Sequence, residues 1–186
     1  MRSLLIVPLC LAAAACSGGD GDESNNAAAE APASLPAGTW HATFEVTKFA
    51  STDNSTPALK AKKGDKEDTS NCVGEAQRLK PPPELFAGSG YSCTYQNSYF
   101  AEGTINATMT CTRPELKGEI GMGVQGSYTA DGFEATVDST SYLPGNGDFT
   151  MVRKVKAKLT PGACQPAAAN AADGNTAAPA KGKKGG

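Results

Sequence analysis

Residues 91–112, YSCTYQNSYFAEGTINATMTCT, decide the fold of this chain. Apolar and polar side chains alternate on both sides of a central Gly-containing turn, which is typical of β-strands with one buried face. The apolar face of the first strand carries Tyr91, Cys93, Tyr95 and Tyr99. The apolar face of the second strand carries Ile105, Ala107, Met109 and Cys111. The stretch therefore predicts a β-hairpin.

The turn of this hairpin fixes how its two strands pair. A three-residue loop over residues 101–103, with glycine at the left-handed position, pairs Phe100 with Thr104. The same register places Cys93 directly opposite Cys111. Because the turn chemistry, the apolar faces and the cysteine positions agree, we predict a disulfide between these two cysteines.

The flanking sequence continues as further strands. The same alternation recurs in residues 40–47, 120–128, 133–137 and 149–159. A two-residue turn at Asp131-Gly132 pairs Ala130 with Phe133. We predict an all-β fold with a minor α component. It is a curled antiparallel meander sheet or half-barrel of about six to seven strands with one short helix, stapled by disulfides. That helix is expected within residues 74–80, where prolines 81–83 end it.

Four cysteines lie within the predicted domain: Cys72, Cys93, Cys111 and Cys164. Four cysteines allow three pairings, and the hairpin register leaves Cys72 to pair with Cys164. The alternative is a metal site, which requires closely spaced cysteine or histidine ligands. The sequence has no such cysteine pair and a single histidine, so we expect two disulfides and no metal.

The first residues predict export. Arg2 precedes an apolar run over residues 3–15, which is shorter than the roughly 20 residues that span a bilayer. We read residues 1–15 as a signal peptide. The small residues before Cys16 resemble a bacterial lipobox, which implies that the thiol of Cys16 carries lipid. The alternative is ordinary cleavage that leaves Cys16 without lipid. By analogy, Ser17 after the cysteine favours the outer membrane, with the chain facing the periplasm.

Composition suggests the remaining boundaries. Residues 16–37 are rich in Ala, Asn, Gly and Ser and predict a disordered tether between the lipidated cysteine and the domain. Residues 38–164 form the predicted β domain, interrupted by a charged surface excursion over residues 50–70. Residues 165–186 predict a disordered tail.

The order of these features resembles the DUF3617 family of small bacterial envelope proteins, over roughly residues 35–164. The resemblance rests on PAGTW at 36–40, Cys72, CTY at 93–95, TCT at 110–112, GMGVQGSYT at 121–129, Phe133 and Cys164. It implies a fold and a location. It implies no activity, because the function of the family is unknown.

Recognisable catalytic chemistry is missing from the sequence. His41 is the only histidine and lies on the polar face of its strand, and no phosphate-binding or dinucleotide-binding motif occurs. The formal charge of −2 argues against nucleic acid as a partner. We therefore expect a non-enzymatic protein without a cofactor. The one enzymatic alternative is a hydrolase with a carboxylate pair, because such pairs come from separate strands.

Two functions remain. The first is a binding or interaction module of the envelope, which holds an apolar ligand or a partner protein in addition to its membrane anchor. Its expected ligand-facing residues are Tyr91, Tyr95 and Phe133. The second is a structural accessory lipoprotein without a small-molecule ligand. A roomy pocket lined by these aromatic residues would favour the first function, and a closed core would favour the second.

Glycines 121, 123 and 126 lie in one predicted strand and allow two interpretations. A glycine-rich strand can lie close to a ligand or close to another backbone. We predict a sheet bend or close packing between layers.

Overall fold

The computed structural model of the chain describes residues 31–164. Within this range seven antiparallel strands form one sheet in the order β2-β1-β7-β6-β5-β4-β3. The strands are β1 (Gly38–Ser51), β2 (Lys66–Val73), β3 (Ser92–Ala101), β4 (Thr104–Arg113), β5 (Leu116–Tyr128), β6 (Gly132–Tyr142) and β7 (Phe149–Thr160). The predicted curled half-barrel is confirmed, with β2 and β3 as its two edges.

The short helix lies where the sequence did not suggest it. A 3₁₀ turn occupies Glu75–Gln77, inside the predicted segment, but the α-helix α1 spans Glu84–Ala87, after the prolines. Proline is tolerated at a helix start, where its missing N–H would have no partner in the helix. Helix α1 contacts both edge strands, β2 and β3. Its residues Leu85, Phe86 and Ala87 are fully buried, so it fills the space between the two edges.

Both predicted disulfides are confirmed. Cys93 joins Cys111 across β3 and β4, with the sulfur atoms 2.04 Å apart. Cys72 joins Cys164, with the sulfur atoms 2.00 Å apart, and ties edge strand β2 to the segment after β7.

The first hairpin has the predicted cysteine pairing but a different turn. The turn holds two residues, Glu102 and Gly103, whose φ angles are both positive at 52° and 74°. Ala101 therefore pairs with Thr104, and the predicted pairing of Phe100 with Thr104 is wrong. Paired positive φ angles match the right-handed twist of the flanking strands, which is why two-residue turns of this kind are favoured.

A β-bulge at Gln96 compensates for the shorter turn. This extra residue of β3 has no partner in β4 and restores the register that places Cys93 opposite Cys111. Between the bulge and the turn, the sense of the alternation is reversed. Tyr99, predicted on the apolar face, is 48% exposed, and Phe100 is buried instead.

The second hairpin also differs in its turn. Tyr128 pairs with Phe133, residues 129–131 connect the two strands, and the predicted pairing of Ala130 with Phe133 is wrong. The loop closes with a 2.8 Å hydrogen bond from the backbone N–H of Thr129 to the carbonyl oxygen of Gly132. The predicted inward and outward faces of both strands are still correct, because a register shift of two residues returns every side chain to the same side of the sheet.

The segments predicted as irregular are partly structured. Strand β1 runs to Ser51 and β2 begins at Lys66, so both ends of the predicted excursion over residues 50–70 belong to strands. The last part of the predicted tether, residues 31–37, packs on the domain. Leu35 is fully buried, and the Trp40 indole N–H donates a 3.0 Å hydrogen bond to the carbonyl oxygen of Pro36.

The signal peptide, Cys16 and the rest of the tether, together with the C-terminal tail over residues 165–186, lie outside the described residues.

Gly126 is predicted to be much less replaceable than Gly123 in the same strand, β5. A Cβ added to Gly126 would clash with the carbonyl oxygen of Glu134 and lie 2.7 Å from the Cα of Ala135, whereas a Cβ on Gly123 meets nothing within 4 Å. We expect Gly126→Ala to lower the free energy of unfolding by about 1–3 kcal/mol, as overpacking does. The matched variant Gly123→Ala should change it by less than about 0.5 kcal/mol. Urea unfolding of both variants measures this, and equal losses would contradict close packing at Gly126.

Candidate binding site

The three residues predicted to face a ligand do not share one cavity. The ring of Phe86 in α1 lies 5.3 Å from the rings of both Phe100 and Phe133, and the ring of Tyr95 lies 5.9 Å from that of Phe100. Tyr95 and Phe133 thus belong to an aromatic cluster that α1 covers. Tyr91 lines a cavity elsewhere on the inner face.

That cavity, here called the arginine cavity, has a volume of about 210 Å³ and lies beside β1, β7 and the loop that joins β1 to β2. Its apolar lining comes from Phe44, Val46, Leu59, Ala61 and Met151. Its ionisable lining comes from Lys60, Asp65, Lys66, Glu67, Tyr91, Arg113 and Arg153. The site is therefore amphipathic, with more cationic than anionic side chains.

Arg153 is the central charged residue of this cavity. Its side chain is 4% exposed, and its Nη2 donates a 2.8 Å hydrogen bond to the carbonyl oxygen of Ala87. Its Nη1 lies 4.0 Å from the Oε2 of Glu67, which is beyond hydrogen-bond distance. The guanidinium also lies 5.0 Å from the ring centre of Phe44 and 5.4 Å from that of Tyr91.

The Nε of Arg153 is buried and has no hydrogen-bond partner among the described residues. Burial lowers the pKa of Arg153, because a guanidinium loses solvation in this environment. An arginine keeps its charge even so, since its usual pKa is far above neutral. A buried cation with an unpaired N–H is costly, and an anion placed beside the guanidinium in the cavity that Arg153 lines would offset part of the cost of burying the charge.

Arg113 provides a second guanidinium on the ring of Tyr91. Its Cζ lies 4.4 Å from the ring centre, a cation–π geometry. Arg113 also pairs with Glu115, and its Nη1 lies 3.4 Å from the carbonyl oxygen of Ser89. Burial acts to lower the pKa of Arg113, but the hydrogen bonds with Glu115 and Tyr91 raise it overall.

Two glycines allow the backbone to pass close to both guanidinium groups. Gly88 and Gly90 both have a φ of 79°, which other residues rarely adopt. A Cβ on Gly88 would lie 3.1 Å from Nη1 of Arg153, and one on Gly90 would lie 3.0 Å from Nη2 of Arg113. The segment after α1 is therefore built to lie against the two arginines.

Two carboxylates face the same cavity, and each is already engaged. Glu67 accepts a 2.6 Å hydrogen bond from the backbone N–H of Ser89. Asp65 accepts a 2.9 Å hydrogen bond from the backbone N–H of Lys62. Both carboxylates thus bind backbone of the loops that border the cavity.

The loop over residues 52–65 is held on the domain by Asp53. The Asp53 carboxylate accepts hydrogen bonds from Ser55 and from the backbone N–H groups of Gly147 and Asp148, at 2.7 and 3.1 Å for the last two. These hydrogen bonds hold the pKa of Asp53 well below its usual range. The backbone N–H of Ala58 donates a further hydrogen bond to Gly147. These hydrogen bonds anchor the middle of the predicted charged excursion on the domain.

The anchored loop supplies the lining that two cavities share. Leu59 and Ala61 are partly buried against the core. Both also line a second cavity, here called the loop cavity, of about 430 Å³, whose apolar lining also includes Phe49 and Pro57. The two cavities share Leu59 and Ala61, so they are adjacent.

His41 lies on the opposite, outer face of the sheet. Its Nδ1 is 2.8 Å from the Oγ of Ser70 on the neighbouring strand. Both residues are exposed, and His41 lines an open cavity of about 840 Å³ together with Phe133, Glu134 and Lys156, the last two of which form an ion pair. His41 does not line the arginine cavity.

Sequence reasoning missed Arg153, although the sequence carries a signal for it. In β7 the inward positions are residues 149, 151, 153, 155 and 157, and Arg153 is the one charged side chain among four apolar ones. A charged residue at an inward position of an alternating strand calls for a partner or a function.

Two further kinds of site are absent from the described residues, a membrane-spanning helix and a metal-binding cluster. None of the helices within residues 31–164 is long and apolar enough to cross a bilayer. Across the same residues, His, Cys, Asp and Glu side chains form no group of three or more that could hold a metal ion.

Fold and site together define a small, disulfide-linked, curled β-sheet domain that encloses a buried arginine in an amphipathic cavity. The chain belongs to DUF3617, a family described as a protein of unknown function, whose model matches residues 35–164. Neither a curated protein nor a solved structure matches the chain.

Proposed function

We propose that the chain is a lipid-anchored, non-catalytic protein of the bacterial cell envelope that serves as a binding module for a small ligand. The observation that carries the binding role is Arg153, a buried guanidinium whose Nε faces no acceptor among the described residues. A protein stabilises a buried cation by pairing it, and Arg153 lines a cavity of about 210 Å³ that leaves space for an anion beside the guanidinium.

The envelope location is supported by the sequence and by the disulfides. Residues 1–15 have the order of a signal peptide, and Cys16 follows small residues as lipidated cysteines do. Two disulfides link four cysteines of the domain, and such bonds persist in oxidising compartments such as the periplasm. The outer membrane, with the domain facing the periplasm, is the proposed destination.

A structural accessory role without a ligand is the second candidate. The aromatic cluster favours it, because Phe86 occupies the concave face where Tyr95 and Phe133 were expected to meet a ligand. A hydrolase with a carboxylate pair finds less support. Asp65 and Glu67 both face the arginine cavity, but each already accepts a hydrogen bond from a backbone amide.

The anchor is tested by the intact mass of the protein extracted from membranes of a bacterial host. We expect a chain that begins at a triacylated Cys16 and gains mass on alkylation only after reduction, because four of its cysteines are in disulfides. Cys16→Ser should abolish lipidation, and the control variant Cys10→Ser should leave it unchanged. A wild-type chain that begins at Cys16 without lipid would refute the anchor.

The binding role is tested on the same preparation by native mass spectrometry. A bound small molecule in a ratio of one per chain is expected for a binding module. Its consistent absence would favour the accessory role.

A further inference from the structure

We infer that the arginine cavity binds the acidic head of a single-chain anionic amphiphile, whose apolar chain enters the loop cavity. This inference rests on the proposed binding module and names the chemical class of its ligand. The head is a carboxylate or a phosphate monoester, since both present several oxygen acceptors to a guanidinium.

The charge of the head follows from the lining of the arginine cavity. Four cationic side chains and two carboxylates line it, and both carboxylates already accept hydrogen bonds from backbone N–H groups. Among the described residues, the Nε of Arg153 has no hydrogen-bond partner, and the one ion-pair contact of Arg153 is the 4.0 Å approach of Glu67. Arg113 supplies a second positive charge on the other side of Tyr91. Lys66 and Arg113 have carboxylate partners outside the cavity lining, Glu45 and Glu115, so Arg153 is the cation that an anionic head would chiefly compensate.

The apolar chain follows from the remaining walls. Phe44, Val46 and Met151 form the apolar part of the arginine cavity and offer no hydrogen bond to an inorganic anion. At about 210 Å³ this cavity is smaller than a typical ligand pocket of about 300–1,000 Å³, so it suits a head group and the first carbons of a chain. The adjacent loop cavity adds about 430 Å³ beyond Leu59 and Ala61.

The geometry also explains why a loop so rich in lysine lies at this place. Leu59 and Ala61 face inward and are partly buried, while Lys60 and Lys62 between and beside them are exposed. Lys60 lines both cavities and Lys62 lines the loop cavity, so exposed cationic side chains lie beside the apolar walls. An amphiphilic acid approaching from solvent would meet these lysines first, which favours its association.

The test is calorimetric titration of the lipidated full chain in phosphatidylcholine nanodiscs, with empty nanodiscs as the blank. The probes are decanoate, decyl phosphate, 1-decanol and acetate. We expect at least one of the two ten-carbon acids to bind once per chain, and the tighter of the two identifies the head group. Decanol, which lacks the charge, and acetate, which lacks the chain, should each bind at least about tenfold more weakly.

Matched variants locate the site. Arg153→Met should weaken binding of the preferred acid by about tenfold or more, because it removes a charge-assisted hydrogen bond. Lys154→Met, on the outward side of the same strand, should stay within about twofold of the wild type. Leu59→Glu places a repelling charge at the wall between the cavities and should also weaken binding by about tenfold. If Arg153→Met fails to fold, Leu59→Glu still tests where the acid binds, because Leu59 lies in a loop and not in a strand of the sheet.

The failures of this inference and of the binding module are distinguishable. If neither acid binds but the extracted protein carries a neutral small molecule, the module stands and the anionic class is wrong. If neither acid binds and the extracted protein carries nothing, both are wrong. Unchanged binding in Arg153→Met and Leu59→Glu would also overturn the inference, because the acid would then bind elsewhere.

Discussion

Replacing Cys72 and Cys164 together with alanine is expected to lower the free energy of unfolding by about 4.5 kcal/mol. The two cysteines are 92 residues apart, and a crosslink over so long a segment removes much of the conformational entropy of the unfolded chain. The bond also holds edge strand β2, which pairs on one side only, with β1. Equilibrium unfolding in urea under oxidising conditions measures the loss.

The second disulfide provides the control. Cys93 and Cys111 are 18 residues apart, for which the same model gives about 3 kcal/mol. Strand pairing in the hairpin already brings these two cysteines together, which limits what the bond adds. We therefore expect the Cys93→Ala/Cys111→Ala variant to unfold at a higher urea concentration than the Cys72→Ala/Cys164→Ala variant. The reverse order would contradict loop length as the dominant cause.

The strands could be predicted because alternation is a local signal. Each strand of the meander buries one face, so every second residue had to be apolar, and only the neighbouring residues were needed to see it. The exact pairing was less accessible. In the first hairpin a turn one residue shorter than predicted and a bulge at Gln96 cancel, so the cysteine register was correct although the turn was not. The only effect of the bulge on the predicted alternation is at its turn side, where Tyr99 was assigned to the apolar face but is exposed.

Edge strand β2 was missed for a physical reason. Its sequence begins with three charged residues, 66–68, and continues with three uncharged polar residues, 69–71, which resembles a loop in composition. An edge strand pairs on one side only, and charged side chains protect its free edge from pairing with other chains. The strand forms because β1 offers it a complete set of partners from Gly38 to Glu45.

The candidate site could be predicted only in fragments. Tyr91 was named, and Arg153 could have been found from its inward position in β7. What brings these two residues together is the segment Gly88–Gly90, which lies more than 60 residues before Arg153 and has no periodic pattern. Tyr95 and Phe133 were named as well, but Phe86 from the unpredicted α1 covers them. Tertiary contacts of this kind are not encoded in any local window.

Replacing Phe86 with alanine is expected to lower the free energy of unfolding by about 3–5 kcal/mol, the usual cost of emptying a buried aromatic site. Phe86 is fully buried, and its ring stacks on Phe100 and contacts Phe133. Because α1 has only four residues, it cannot hold its place by its own hydrogen bonds and depends on this packing. The loss should appear in urea unfolding as a lower midpoint.

Leu79→Ala is the matched control, because Leu79 lies a few residues earlier in the same connection and is 67% exposed. It should change the free energy of unfolding by less than about 0.5 kcal/mol. In Phe86→Ala the aromatic cluster loses its cover, so an apolar dye such as anilinonaphthalene sulfonate should bind to the variant more strongly than to the wild type. A Phe86→Ala protein as stable as Leu79→Ala, with no added dye binding, would mean that the half-barrel is closed without α1. Strands β2 and β3 lie at opposite ends of the strand order. Without α1, they could close the half-barrel only if the curl of the sheet brought them into direct contact.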